Sequence, residues 1–562
     1  MRWYAKVVSG LVVAFTALGA STAAAAPGDL DTSFAGTGKL TFAPGGRTAQ
    51  ITDVAIQPDG KIVLAGWVDQ GGGNIDFLVS RLNPGGSFDQ GFGSGGIKTV
   101  DFPGKGGLTA DIGSGVALQP DGKIVVAGTS TSSDSTRAAV ARLEPNGDPD
   151  GSFGGETTDA GAPVAGIRLL QNAHGNDVAL DASGRILVAG TTVGGAGSDM
   201  YVARLTSSGG RDGTFNAPKN DYFMTIDFAG EDGATRMAVQ PDGKIVLVGW
   251  SLTNDIGVAR VIPGGVLDQD FASGGKKGGF GIGGPGDDAS QANDVALEQD
   301  GRIDFAGYAG GTPSDMLVWR LAANGKDDDS LNGFSYALTD FGGADAADAI
   351  ALQANGKILL AGAVTNDIGL LRLQPGGLPD ATFGPDGKRT VIFPGAQSEA
   401  YSMALQPDGK IVLAGYAGSA AAVVRLQGDT SGGGPAGPGG PGGPSGPNTA
   451  GRAPRMSKFT AKVKSGGRSV SFVLRSDENC TGVVSGKTVK AYAAAKKRRV
   501  SLGSVRFKLT AGKSKTVVLK LSRKARKLLG RRHSLRVQFT VTLTNSAKQR
   551  GVSRRTLTLR TK

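Results

Sequence analysis

Through the first three quarters of the chain, short runs that alternate apolar with polar residues return at a nearly constant spacing. In Thr52-Asp53-Val54-Ala55-Ile56-Gln57 the apolar Val54 and Ile56 stand two apart, as in a strand with one buried face. Pro58-Asp59-Gly60-Lys61 breaks the pattern with hairpin chemistry, Gly60 supplying the positive φ that a two-residue turn needs. Residues 62–67 read as a second strand and residues 77–82 as a third, stopped by Asn83-Pro84-Gly85-Gly86. Residues 97–102 give a fourth, after Phe88-Asp89-Gln90-Gly91-Phe92-Gly93. Four strands joined by short turns make a meander.

The turn glycine recurs at Gly60, Gly122, Gly184, Gly243, Gly301, Gly356 and Gly409, a mean period of about 58 residues, in the range of repeat architectures. One four-stranded sheet cannot bury both faces, so the copies must pack on one another, and radial packing of such sheets makes a β-propeller. The array opens on a partial unit, Leu30-Asp31-Thr32-Ser33-Phe34 and a strand at residues 39–42, and stops at the third strand of its seventh copy, residues 423–426. The expected fold is therefore all-β: a seven-bladed β-propeller closed by the N-terminal strand, followed by a small β-sandwich. Units two, three and five are the loosest copies. Residues 157–164 and 276–279 make weak fourth strands, and Asp327-Asp328-Asp329-Ser330-Leu331 puts Leu331 where a Phe is expected.

The recurring Gln-Pro-Asp-Gly-Lys-Ile-Val-Leu-Ala-Gly, with a Leu-Asp-x-x-Phe-Gly segment upstream, resembles the delta-60 repeat family of bacterial proteins over residues 28–426. The resemblance implies a secreted or surface β-propeller-like protein. It brings no catalytic motif.

Two charged positions repeat in every unit. An Arg lies in each third strand (Arg81, Arg142, Arg204, Arg260, Arg320, Arg372, Arg425), and an Asp in each Asp-x-x-Phe segment (Asp31, Asp89, Asp150, Asp212, Asp268, Asp328, Asp380). Equal numbers suggest structural ion pairs, because an Arg on a partly buried face needs carboxylates or carbonyls to offset its desolvation. A ring of anion-binding arginines is the alternative. The Ala of each first strand reads as close packing near a ring axis.

Function is expected where the repeats differ, in the loops at the end opposite the Asp-Gly turns. Those loops carry Asp232, Asp288 and Asp345 among other carboxylates, and Trp67, Trp250, Tyr308 and Tyr416 share one repeat position beside them. Aromatics there suit stacking on sugar rings, or blade packing. No cofactor is expected. Ca²⁺ is possible through the loop carboxylates but has no motif behind it, the spacing of an EF-hand loop being absent.

Composition agrees with many short strands: 93 Gly and 20% charged residues in 562. A single Cys480 and two His, His174 and His533, exclude a disulfide framework within the monomer and argue against a His- or Cys-ligated metal or a Ser-His-Asp triad. The net charge of +12 hides a division, with 30 Lys+Arg against 47 Asp+Glu in residues 1–450 and 31 against 2 in residues 451–562. Arg2 and Lys6 precede an apolar run, Val7 to Ala20, that is too short to span a bilayer, and Ala23-Ala24-Ala25-Ala26 follows it, so residues 1–25 read as a signal peptide. Residues 26–428 form the repeats, 429–450 a Gly/Pro-rich linker, and 451–562 a basic body similar to the Ig-like domains that end many secreted bacterial proteins. Lys496, Lys497, Arg498, Arg499, Arg531 and Arg532 are its densest positive clusters, suited to polyanions.

The leading expectation is an extracellular or cell-surface, non-enzymatic binding scaffold. Its propeller meets a glycan or protein, and its basic domain holds anionic cell-envelope polymers, with no nucleic acid in vivo and no transmembrane anchor after signal cleavage. An extracellular polysaccharide-acting enzyme using loop carboxylates, and an envelope spacer without a ligand, are the alternatives.

Overall fold

The structure is a computed structural model describing residues 25–104, 109–157, 163–170, 172–194, 197–216, 219, 221–251, 255–278, 290–310, 313–429, 456–463, 469–476, 480–493, 498–509, 513, 515–532, 534–544 and 550–560. The expected leader and linker lie outside these residues, apart from residues 25 and 429. Two compact units, Met1–Ser445 and Gly446–Lys562, divide the chain. Among the described residues no helix is long and apolar enough to cross a membrane.

In the first compact unit, antiparallel meanders follow one another along the chain, five as separate four-stranded sheets and the first two joined through a parallel bridge, Ile75 to Ala110, into one sheet of ten strands. Each places one of the alternating segments first: Ala49–Ile56, Ala110–Leu118, Ala173–Leu180, Gly233–Val239, Gln291–Leu297, Asp345–Leu352 and Ser398–Leu405. No sheet closes on itself, so the sheets bury their faces against their neighbours. Phe77 and Val79 of one sheet share a core with Val116 and Val126 of the next, and Val54 and Leu64 share one with Ala404, Val412 and Val423. Lys39–Phe42, the first strand in the sequence, pairs with Ala420–Leu426, Lys39 lying opposite Val424. In unit two the fourth strand is Ile167–Leu169 and not residues 157–164, because Ile167 and Leu169 supply the inward alternation; Gly154–Thr157 pairs instead with Pro163–Ala165 in a small hairpin.

Every first strand contains a β-bulge, between Ile51 and Asp53 in the first unit and between Ala400 and Ser402 in the last. The bulge brings a carbonyl over the Gly that ends the recurring Ala-Gly. A Cβ on Gly190 would sit 1.9 Å from the His174 oxygen, and one on Gly307 1.8 Å from the Gln291 oxygen. That close approach explains the glycine of the motif. The bulge also re-aims its own side chain: Thr235 Oγ1 donates to the Val248 carbonyl at 3.0 Å and across to the Ala292 carbonyl of the next unit at 2.6 Å.

The second compact unit has two antiparallel sheets, one of three strands and one of four. Val470, Phe472 and Leu519 of one share a core with Val484, Val537, Phe539 and Val541 of the other, and the Phe472 and Phe539 rings meet edge to face at 5.1 Å. Cys480–Ala493, which the sequence pattern does not predict, pairs with both Arg498–Leu509 and Ser534–Thr544. Gly482, Gly486, Lys487 and Lys490 break its apolar alternation. Ser522 Oγ accepts from the Ala525 amide at 3.2 Å at the start of the helix Arg523–Arg532. The helix runs past Gly530 to Arg532, anchored by the buried Ala525 and Leu529.

Candidate functional site

The repeated arginine is held the same way in six units. Its Nε meets the Asp of the Asp-x-x-Phe segment: Arg81–Asp89 2.7 Å, Arg142–Asp150 2.6 Å, Arg204–Asp212 2.7 Å, Arg260–Asp268 2.8 Å, Arg372–Asp380 2.8 Å and Arg425–Asp31 2.8 Å. The Phe of the same segment lies under the guanidinium, from 4.4 Å at Arg260–Phe271 to 4.8 Å at Arg425–Phe34. Arg81 and Arg204 then donate to Pro145 and Pro263 of the following unit, both at 2.5 Å, and Arg425 donates to Pro84. The Lys of the Asp-Gly-Lys turn reaches the same carboxylate, as in Lys244–Asp268 at 2.8 Å and Lys410–Asp31 at 3.1 Å. Burial opposes it, but Ser33, Lys410 and Arg425 hold the Asp31 carboxyl down to about 2. Side chains clamped this way have little left to offer a ligand.

Unit five departs from the pattern, and Arg320 does not pair with Asp328. Asp304 occupies the cross-strand position opposite Arg320, where other units place an apolar residue such as Val63 or Val246. It takes the guanidinium bidentately, Nε to Oδ1 at 2.6 Å and Nη2 to Oδ2 at 2.7 Å, and Glu298 adds a contact at 2.6 Å. Asp328 is left accepting the Ser330 amide at 3.0 Å. Leu331 removes the ring beneath the arginine in the same unit, so a carboxylate stands in for lost aromatic support.

The first strands converge on Arg236. Its Nη1 lies 3.7 Å from Asp177 and 3.3 Å from the Ser114 carbonyl, and its Nη2 3.9 Å from Asp53 and 3.3 Å from the Thr52 carbonyl. Burial pulls its ionisation down, but Asp53, Asp177, Asp294 and Asp348 together raise it. The aspartates also fasten neighbouring units: Asp53 accepts from the Val116 amide at 2.8 Å, Asp177 from Met237 at 2.7 Å and Asp294 from Ile350 at 2.8 Å. Burial pushes Asp177 up to about 7 and Asp294 up to about 6.

Trp67, Trp250, Tyr308 and Tyr416 are all half-buried and stand at equivalent register positions, opposite Gln50, Gly233, Gln291 and Glu399. Trp250 helps to line an open cleft of about 630 Å³ with His174, Asn176, Thr191, Val193 and Glu231. The Tyr416 hydroxyl donates to Glu399 at 3.3 Å, and the Tyr401 and Tyr416 rings lie 5.6 Å apart. Burial and then Glu399 raise the Asp348 carboxyl well above the ordinary range, while Asn293 donates to its Oδ1 at 2.8 Å. Asp348 and Tyr401 are not singled out by the sequence pattern. Only the bulge, which turns residues 348 and 401 toward their neighbours, brings them to Glu399.

Asp232 and Asp345, expected on an open acidic face, are instead buried, at 0% and 1% exposed, each grouped with two other aspartates at the edge of its sheet. They begin strands whose backbone must enter the core, and burial follows. Asp288 lies outside the described residues, as do Lys496 and Lys497. Arg498 and Arg499 open the strand Arg498–Leu509, Arg531 is exposed on the helix, and Arg532 ends that helix.

Six stretches, residues 57–92, 119–153, 182–215, 240–271, 353–383 and 406–431, match the family model of a domain of unknown function, DUF5122, described as a β-propeller. These matches fit a β-propeller repeat family. The unit holding Arg320 and Asp304 falls outside the matched stretches. No curated protein matches the chain. Among solved structures it is similar to the polysaccharide lyase Uly1, with 10% identity over 67% of this chain and 89% of that one, TM-score 0.40. YCF48 bound to D1 peptide is similar at 12% identity over 73% and 100%, TM-score 0.37. Sqt1 from Chaetomium thermophilum is similar at 12% over 68% and 97%, TM-score 0.33. Likenesses of this size carry no argument about activity.

Proposed function

We propose that residues 26–428 form a closed seven-bladed propeller acting as a binding scaffold. Its aromatic face takes a glycan or a protein, and the basic domain retains the exported protein on anionic envelope polymers. The pairing of Lys39–Phe42 with Ala420–Leu426 supports closure. One observation carries the binding reading: the repeated charges are spent on one another inside the sheets, whereas four half-buried aromatics at one repeat position remain at a surface, one of them in a cleft. A flat apolar ring with a polar edge suits a sugar or a peptide side chain.

The Asp348–Glu399 pair supports a second reading, cleavage of a polysaccharide. Two neighbouring carboxyls, one of them raised by burial, are the residue types that acid and base steps at a glycosidic bond require. One experiment separates the two readings. Isolated envelope polysaccharide is offered to the full-length protein and to Trp250→Ala, Tyr416→Ala and Glu399→Gln, with retention and released reducing ends both measured. The scaffold reading expects retention to fall at least five-fold in the aromatic variants with no reducing ends from any protein. Release by the parent that Glu399→Gln abolishes would establish the enzyme. Retention of all variants at parental level would remove the aromatic face from consideration.

A further inference from the structure

We propose that three aspartate triads, Asp76–Asp101–Asp111, Asp199–Asp227–Asp232 and Asp315–Asp340–Asp345, are equivalent Ca²⁺ sites at alternate junctions between repeats. This goes beyond the ligand-binding reading and stands whether or not that reading does. In each triad three carboxylate oxygens lie within 4.8 Å of one another. That is the widest separation two oxygens can have when both bind one cation at about 2.4 Å.

Each triad is assembled by the same three backbone positions. One Asp stands at the start of the third strand of a unit, and the second follows the end of its fourth strand, directly across the ladder as fixed by the pairs Phe77–Val100, Met200–Ile226 and Met316–Thr339. The third Asp comes from the opening of the next unit's first strand. Like charges facing each other across a ladder are unfavourable unless something lies between them.

The buried member of each triad accepts a backbone amide from the end of the preceding unit. The Phe102, Phe228 and Phe341 amides donate to Oδ2 of Asp111, Asp232 and Asp345 at 2.9, 2.6 and 2.6 Å. Asp111 and Asp345 are 0% and 1% exposed; the Ser130 hydroxyl faces Asp111 across the ladder, whereas Oδ1 of Asp345 is buried with no hydrogen-bond partner. An orphaned charged oxygen aimed at two further carboxylates points to a cation. Local donors supply it only in part, Lys388 acting on Asp315 and Asp345 from its bond to the Asp340 carbonyl. Gln70 and Asn74 bond Asp76, and Thr109 bonds Asp101 and Oδ2 of Asp111. Lys276 and Lys388 bond the backbone carbonyls of Asp227 and Asp340.

Other junctions show what the same positions hold when no cation is wanted. Between the last unit and the first they are Ala420, Ala43 and Ala49; between units six and seven, Asp367, Ile392 and Ser398. The three triads fall at the same junctions that Asp53, Asp177 and Asp294 fasten at the inner strands. A hard, flexible oxygen site of three carboxylates completed by water suits Ca²⁺ better than Mg²⁺, which demands a tighter octahedron.

The test uses the full-length protein stripped with EDTA, and the exposed triad members, whose loss spares the core: Asp101→Asn, Asp227→Asn and Asp340→Asn. Equilibrium dialysis against CaCl₂ at about the millimolar affinity of extracellular sites is expected to give three Ca²⁺ per chain. Each variant is expected to lose one, and the triple variant all three together with the Ca²⁺-induced rise in Tm, its far-UV circular dichroism unchanged. No bound Ca²⁺ in the parent, or undiminished stoichiometry in the triple variant, overturns the proposal. An equal Tm rise with MgCl₂ overturns the choice of Ca²⁺.

Discussion

Arg320→Ala is expected to cost about 3–5 kcal/mol, the range for stranding a buried charge by removing its partner, and more than Arg260→Ala. Both Arg320 and Asp304 are 0% exposed at the side chain, and Glu298 also leans on the same guanidinium. Without Arg320, the two carboxylates face each other inside a sheet. Asp268 of unit four, by contrast, keeps Lys244 at 2.8 Å after Arg260 is gone. The comparison is made by urea denaturation of the two variants, and equal losses would refute it. A companion variant tests the stand-in argument. Asp304→Val with Leu331→Phe restores the arrangement of the other units, so Arg320 is expected to turn to Asp328 and stability to stay within about 1 kcal/mol of the parent, as for swaps that conserve volume and partners.

Arg236→Met is expected to be the second most damaging change, and its cost should depend on pH. The side chain is the cation among Asp53, Asp177, Asp294 and Asp348, and its loss leaves them to repel one another. In the parent, Asp177 and Asp294 rise from 3.8 to about 7 and about 6 on folding. A carboxyl that binds its proton more tightly when folded contributes stability that is complete below its unfolded value and fades as pH climbs through its folded value. These two groups therefore favour the fold below about pH 4 and lose that contribution between pH 4 and 7. Asp31 and Asp380, held down to about 2, act with the opposite sign and lose their contribution as pH falls from 4 toward 2. Parental Tm is expected to peak at about pH 4–5. Arg236→Met removes the attraction that limits the upward shifts, so its deficit should be several-fold larger at pH 8 than at pH 5. A deficit independent of pH would show that Arg236 matters only through packing.

Much of this was legible in the chain. Alternation and the Asp-Gly turns mark the meanders because a period of two and a required positive φ are local properties. The Arg and Asp positions repeat in register, so pairing could be read from counting alone. Even the exception is written out, since Asp304 stands in Gly-Arg-Ile-Asp-Phe-Ala-Gly where the other units have an apolar residue. Arg236 and the aspartate triads were not legible. Their members come from three or four units, and no spacing within one repeat reveals which bulge turns inward or which strand start lies opposite which strand end. Asp232 and Asp345 looked like loop charge because polarity predicts exposure until a neighbour covers the site. In the basic unit, Cys480–Ala493 was missed because its glycines and lysines obscure a period that pairing on both edges supplies anyway.

The seam between the first strand and the last sets a clock. Asp31 and Arg425, which meet at 2.8 Å, are 394 residues apart in sequence. On a ribosome adding about 5–20 residues per second, the N-terminal strand waits roughly 20–80 s before its partner exists. Throughout that interval Lys39–Phe42 has no ladder to join and the first sheet lacks one neighbour, an exposed edge of the kind that invites pairing with another chain. The short, lysine-headed sequence Lys-Leu-Thr-Phe limits that danger. The meanders between can fold in turn as they emerge, so the pairing of Lys39–Phe42 with Ala420–Leu426 comes last.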